Sequence, residues 1–170
     1  RIIDPTMKGL SDDGILYKGF IFFGLINVEG NPYVIEYNTR LGDPESEVII
    51  PRIRSDFFEL IEGVAKGDLA GRKIDIDERF VTTVMLVSGG YPGNYDKGKS
   101  IDGLDLTSGS VIFHSGTKKE ADKFVTSGGR VLAISSWGDT MKEALTTSYR
   151  NAGLLNFEGS YYRTDIGFDL

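Results

Sequence analysis

The chain has 170 residues, 40% of them hydrophobic and 26% charged, with a net charge of −6 and a pI near 4.8. Its basic residues are scattered, so no electropositive stripe invites nucleic acid or an anionic membrane surface, and the absence of cysteine excludes disulfides, thiolate metal sites and cysteine nucleophiles. The longest apolar-rich stretch, Gly19 to Val28, is too short to span a bilayer, and with no visible signal peptide the chain fits a cytoplasmic protein. It opens on Arg1-Ile2-Ile3-Asp4-Pro5 without an initiator methionine and reads as the interior of a longer protein.

Tyr17 to Val28 and Tyr33 to Asn38 are rich in aromatic and β-branched residues, and Asn27-Val28-Glu29-Gly30-Asn31-Pro32 lies between them. This predicts an antiparallel hairpin with a loop of several residues. Two helices are expected next. Asp43 can cap the first, with Pro44 at its first position and Pro51 at its end. Ser55 can cap the second, whose Phe57, Phe58, Leu60, Ile61 and Val64 have helical spacing and which Gly67 and Gly71 close.

From about Lys73 the texture changes to short strands in Gly-, Ser- and Asp-rich loops: Phe80 to Val87, Ser110 to His114 and Arg130 to Ser135. A helix over Thr140 to Asn151 follows, and Ser160 to Leu170 is expected to pack back as an extended segment. The whole reads as α+β, with a domain boundary near Gly71. His114, the lone histidine, and Trp137 and Tyr149 read as structural, and Lys118-Lys119-Glu120 as a solvated turn.

The segment Val34-Ile35-Glu36-Tyr37-Asn38-Thr39-Arg40-Leu41-Gly42-Asp43-Pro44-Glu45 carries chemistry. If the strand persists, Glu36, Asn38 and Arg40 project from one face and Tyr33, Ile35 and Tyr37 from the other, buried one. A carboxylate and an amide oxygen two residues apart can converge on one Mg²⁺, which takes oxygen ligands and keeps water or phosphate in its other positions. A nearby guanidinium can grip phosphate or carboxylate. Spacing alone also fits a solvated face with a surface ion pair, and leaves both readings open.

Val34 to Arg40 resembles the metal-binding strand of ATP-grasp enzymes, and Leu41-Gly42-Asp43-Pro44-Glu45-Ser46-Glu47 resembles a segment of the glycinamide ribonucleotide synthetase family. Tyr17-Lys18-Gly19-Phe20 with Phe23-Gly24-Leu25 is similar to that family's preceding strand. Gly89-Gly90-Tyr91-Pro92-Gly93, Phe113-His114-Ser115-Gly116-Thr117, Gly128-Gly129-Arg130-Val131-Leu132 and Arg163-Thr164-Asp165-Ile166-Gly167 are similar to signatures of its C-terminal domain. The resemblance implies the C-terminal part of an ATP-grasp domain over residues 1–71 and a small mixed α/β C-terminal domain over 72–170. It implies Glu36 and Asn38 as ligands of Mg²⁺ or Mn²⁺ and Arg40 as a grip on the transferring phosphoryl group or acyl phosphate. Gly42, Asp43 and Glu45 would lie near the amino-acid and amine substrates, and Leu25 beneath adenine unless it is a core residue. The implied reaction joins glycine to 5-phosphoribosylamine, cleaving ATP to ADP and phosphate through glycyl phosphate. The chain alone is expected to be inactive, because the remaining ATP and phosphoribosylamine residues would lie upstream of Arg1. One departure is that Gly24 stands where many ATP-grasp relatives carry a second metal-binding acid.

Gly93-Asn94-Tyr95-Asp96-Lys97-Gly98-Lys99-Ser100 fits the P-loop pattern G-x-x-x-x-G-K-S. No helical periodicity follows it, so a chance match in a surface loop is expected, with a P-loop hydrolase using Lys99 and Ser100 as one rival. A non-catalytic module with an acidic surface is the other.

Overall fold

The computed structural model describes residues 1–168, in which helices and antiparallel sheets are divided between two units. One comprises residues 1–46 and 53–76, the other residues 47–52 and 77 onward.

The first unit opens with a helix that the sequence reading missed, α1 (Ile3–Asp12). Pro5 lies in its first turn, where a missing N–H costs no helical bond. The hairpin follows as β1 (Phe22–Val28) and β2 (Asn31–Asn38). Val28 pairs with Asn31, so its connection is two residues rather than several. Glu29 and Gly30 both take positive φ, 50° and 80°, as a tight hairpin turn matched to strand twist requires. The first strand begins at Phe22 rather than Tyr17, because Gly19 bends the chain and the Tyr17 hydroxyl donates to the Phe20 carbonyl at 2.8 Å. The register slips midway: Gly24 faces Glu36 but Leu25 faces Val34, leaving Ile35 as an extra residue in β2.

Tyr33, Ile35 and Tyr37, expected inside, are 57%, 65% and 50% exposed. A sheet of two strands is too narrow to bury a face by itself.

The expected first helix is a single turn, α2 (Ser46–Ile49), starting after Asp43 and Pro44, which form a turn. The next, α3 (Phe57–Lys66), is capped by Asp56, whose carboxylate accepts from Phe58 N and Glu59 N, and it ends at Gly67 in the left-handed conformation. Ser55, the expected cap, instead accepts from Asp75 N at 2.6 Å and donates to Lys73 O at 3.2 Å. Arg72 then lies along α3, donating to the Glu59 carbonyl in its first turn and pairing with Asp68 beyond its end. That hydrogen bond, with the guanidinium charge, holds the Asp68 carboxyl below its usual pKa.

The second unit contains β3 (Phe80–Val87), β4 (Ser110–His114), β5 (Thr117–Glu120), β6 (Lys123–Thr126), β7 (Arg130–Gly138) and α4 (Met141–Ala152). Three of these strands form an antiparallel sheet in the order β3-β7-β4. The central strand, β7, is buried continuously from Val131 to Ser136. Its Leu132 and Ile134 join Val84, Leu86, Ile101, Ala152, Leu155 and Phe157 in the core. Lys118-Lys119-Glu120, expected as a turn, lies in β5 and pairs with β6. At the C-terminus Tyr161 exchanges two backbone hydrogen bonds with Val87, and Tyr162 and Ile166 pack on the core. Asp169 and Leu170, the last residues of the expected extended segment, lie outside the described residues.

A row of buried hydroxyls and one amide joins α4 to the sheet. Ser148 Oγ donates its one proton to the Thr82 carbonyl (3.2 Å) and lies 2.9 Å from Ser136 Oγ, Ser136 Oγ meets Ser110 Oγ (2.6 Å), and Asn151 Nδ2 donates to Ser110 Oγ (2.5 Å) and to the Ser108 carbonyl (2.8 Å). The helix starts with reciprocal capping. Glu143 N–H donates to Thr140 Oγ1, and Thr140 N–H donates to the Glu143 carboxylate. Thr140→Ala is expected to cost about 1 kcal/mol in urea unfolding, and a value near zero would mean that tertiary packing alone fixes this helix.

Candidate functional site

The site is built on the end of β2 and the turn after it. Glu36 and Asn38 are two apart on one strand and share a face: Asn38 Nδ2 donates to Glu36 Oε1 at 2.8 Å. Glu36 is exposed and Asn38 half-buried. Cross-strand pairing adds Gly24, opposite Glu36, and Phe22, opposite Asn38, to that face. The same side continues into the turn. A Cβ placed on buried Gly42 would meet the Glu45 carboxylate and, at 3.0 Å, the Phe22 ring. Thus Glu36, Asn38, Phe22, Gly42 and Glu45 form one contiguous group. Phe23 and Tyr37 stack edge-to-face on the other side, centroids 5.3 Å apart.

Two expected site residues, Arg40 and Leu25, stand apart from that group. Arg40 does not continue the row, because β2 ends at Asn38; its Nη1 donates to the Leu41 carbonyl at 3.0 Å. Asp43 lies in the turn and is exposed. Alternation along β1 turns Leu25 to the face opposite Gly24, so an adenine over Leu25 and a metal at Glu36 would lie on opposite faces of the hairpin. Phe22 is the member that the sequence reading missed. Its signal was its position two residues before Gly24, on the same strand face.

The fit of a divalent cation follows from the donors. Among the described residues no three His, Cys, Asp or Glu side chains cluster as a metal cage. Glu36 supplies carboxylate oxygens, and Asn38 supplies one more once its carboxamide turns over, an orientation fixed only by hydrogen bonding. Two hard oxygen donors suit an ion that keeps its other positions for water or phosphate.

The P-loop match does not form a phosphate cradle. No helix opens directly after Ser100, which bridges Val125; a single 3₁₀ turn at Leu104–Leu106 comes only after Gly103. Lys99 Nζ pairs with Glu158 at 2.8 Å, which holds the lysine above its usual pKa. The groove beside them carries Asp102 and Glu158, two carboxylates that would repel phosphate. His114 bonds Thr117 Oγ1 at 2.9 Å and packs on Phe124, and Tyr149 stacks near Tyr162, so both have structural partners. No helix among the described residues is long and apolar enough to cross a membrane.

A model of the phosphoribosylglycinamide synthetase C domain matches residues 81–169, and one of the ATP-grasp (A) domain of the same synthetase matches residues 1–46, which contain Glu36 to Glu45. The chain belongs to the phosphoribosylglycinamide synthetase family. Relatives named phosphoribosylamine–glycine ligase include that of Fusobacterium nucleatum, 41% identical, and that of Chlorobaculum tepidum, 42% identical, each alignment covering 98% of this chain and 40% of the relative. A crystal structure of phosphoribosylamine–glycine ligase from Thermotoga maritima is similar with a TM-score of 0.79 and 38% identity, over 95% of this chain and 40% of that one. The chain therefore spans about 40% of the length of the family members it matches.

Proposed function

We propose that this chain is the C-terminal part of a phosphoribosylamine–glycine ligase, an ATP-dependent carbon–nitrogen ligase of purine synthesis. The reaction joins glycine to 5-phosphoribosylamine with cleavage of ATP to ADP and phosphate through glycyl phosphate. Residues 1–71 form the end of the ATP-grasp domain and residues 72–170 the C-terminal domain. The observation that carries the reading is the Glu36–Asn38 contact at 2.8 Å, inside the segment that matches the ATP-grasp model.

In this reading Glu36 and Asn38 hold Mg²⁺ or Mn²⁺. Bound there, the ion offsets the charge on the phosphates during transfer to the glycine carboxylate, which becomes an acyl donor only when phosphorylated. Arg40 grips the phosphoryl oxygens after leaving its contact with the Leu41 carbonyl. Gly42, buried under the Glu45 carboxylate, shapes the turn that receives the amino-acid and amine substrates, with Asp43 exposed beside it. Leu25 lies on the other face and is given no role. The rest of the nucleotide and phosphoribosylamine site comes from the N-terminal part of the same kind of protein.

The test is complementation. Mixed with a separately expressed upstream segment of a full-length relative, the chain should restore ADP release that depends on both glycine and 5-phosphoribosylamine. Glu36→Ala should lower that rate at least about hundredfold. A demonstrated complex of folded halves that is inactive, or that is indifferent to Glu36→Ala, would overturn the proposal.

A further inference from the structure

We infer that Gly24 is a positioning residue for Glu36, an assignment that rests on the reading of Glu36 and Asn38 as the metal-holding pair. Gly24 sits in β1 directly opposite Glu36. Its φ lies outside the left-handed region, so the backbone conformation there does not require glycine. Glycine inside a strand otherwise weakens it, having no side chain to pack. Space is what this position supplies. A Cβ on Gly24 would lie 2.9 Å from Glu36 Cγ, closer than carbon atoms approach without moving, with the Glu36 backbone oxygen and nitrogen at 3.5 and 3.6 Å. The Glu36 side chain therefore lies back across β1 over the bare Cα of Gly24. From there its carboxylate receives the Asn38 amide.

The bulge makes this arrangement local. The register slips immediately after the Gly24–Glu36 pair, with Ile35 as the extra residue, and bulges of this kind re-aim the neighbouring side chain. Glu36 is exposed and flexible beyond Cβ, so a methyl at position 24 displaces the carboxylate and not the strand. A purely structural glycine would behave in the opposite way, losing the hairpin first.

The experiment uses nuclear magnetic resonance on the 170-residue chain. In the native protein a cross-peak should connect Gly24 Hα with the Glu36 Hγ protons, and Glu36→Gln should shift the Asn38 side-chain amide. In Gly24→Ala the Phe23–Tyr37 ring contacts should persist, while Glu36→Gln no longer moves the Asn38 amide. The Mn²⁺ concentration that half-broadens the Asn38 signals should rise about tenfold, as when an orienting partner of a metal ligand is removed. Gly71→Ala, where a Cβ meets nothing within 4 Å, is the control. Absence of the native cross-peak, unchanged coupling in Gly24→Ala, or loss of the Phe23–Tyr37 contacts would each overturn the assignment. Failure of Mn²⁺ to broaden Asn38 in the native chain would instead remove the metal reading. The Gly24–Glu36 cross-peak and the Asn38 coupling then still decide whether Gly24 positions the side chain.

Discussion

Leu132→Ala should lower the unfolding free energy of the C-terminal unit by about 3–5 kcal/mol. Leu132 has no exposed surface and sits in the central strand, opposite Leu86 on β3 and His114 on β4. Truncation removes the apolar contact and leaves a cavity walled by close-packed core side chains, Leu86 and Ile134 among them, so collapse is limited. Trp137, the single tryptophan, lies on the same strand and reports the transition by fluorescence during urea unfolding. A loss below about 1 kcal/mol would mean that the site closes over the gap, contrary to the packing described.

Asn151→Leu should be the other large effect, about 2–4 kcal/mol, although leucine is similar in volume and more hydrophobic. Asn151 is fully buried, and its amide serves both the Ser108 carbonyl and Ser110 Oγ. Leucine would leave Ser108 N–H without the Asn151 carbonyl and the half-buried Ser110 Oγ without the Asn151 amide, and it would lose the polar partners that the fully buried Asn151 supplies. Arg150 also donates to the Ser108 carbonyl at 3.0 Å, which limits the loss at that one group. Combining Asn151→Leu with Ser110→Ala should cost less than the sum of the single changes, by 0.5 kcal/mol or roughly more. Strict additivity in the same urea assay would show that the hydroxyl row does not act as a unit.

The sequence made the C-terminal strands legible because each is a short β-branched or aromatic run between glycine-rich turns. Phe80–Val87 and Ser110–His114 begin and end where that texture predicts. The helix after Thr140 was equally visible, since a threonine followed by glutamate three residues later is a cap that needs no tertiary context. What escaped depended on pairing. Nothing in Tyr33-Val34-Ile35-Glu36 announces that one residue will be squeezed out of register, yet that slip sets what Glu36 faces. The polar strand Thr117–Glu120 carries no apolar alternation and exists because β6 completes its ladder. For the candidate site, the spacing of Glu36 and Asn38 was enough to bring them together. Arg40 followed the same two-residue rule on paper, but the strand stops before it. The role of Gly24 was invisible, because a missing atom has meaning only against the side chain that fills its place.

The strand at the middle of the C-terminal sheet is the last of that sheet to leave the ribosome. β3 and β4 precede β7 and do not pair with each other, so neither has a ladder partner in the sheet until residues 130–138 emerge. Bringing β3 to β7 closes a loop of more than forty residues, and the entropy of that closure is met before any pairing offsets it. The sheet is thus assembled late and nearly at once, with α4 arriving directly behind β7 to cover it. A nascent chain stalled before Arg130 would present two apolar strands with open edges, the form in which a domain is most exposed to aggregation and to chaperone capture.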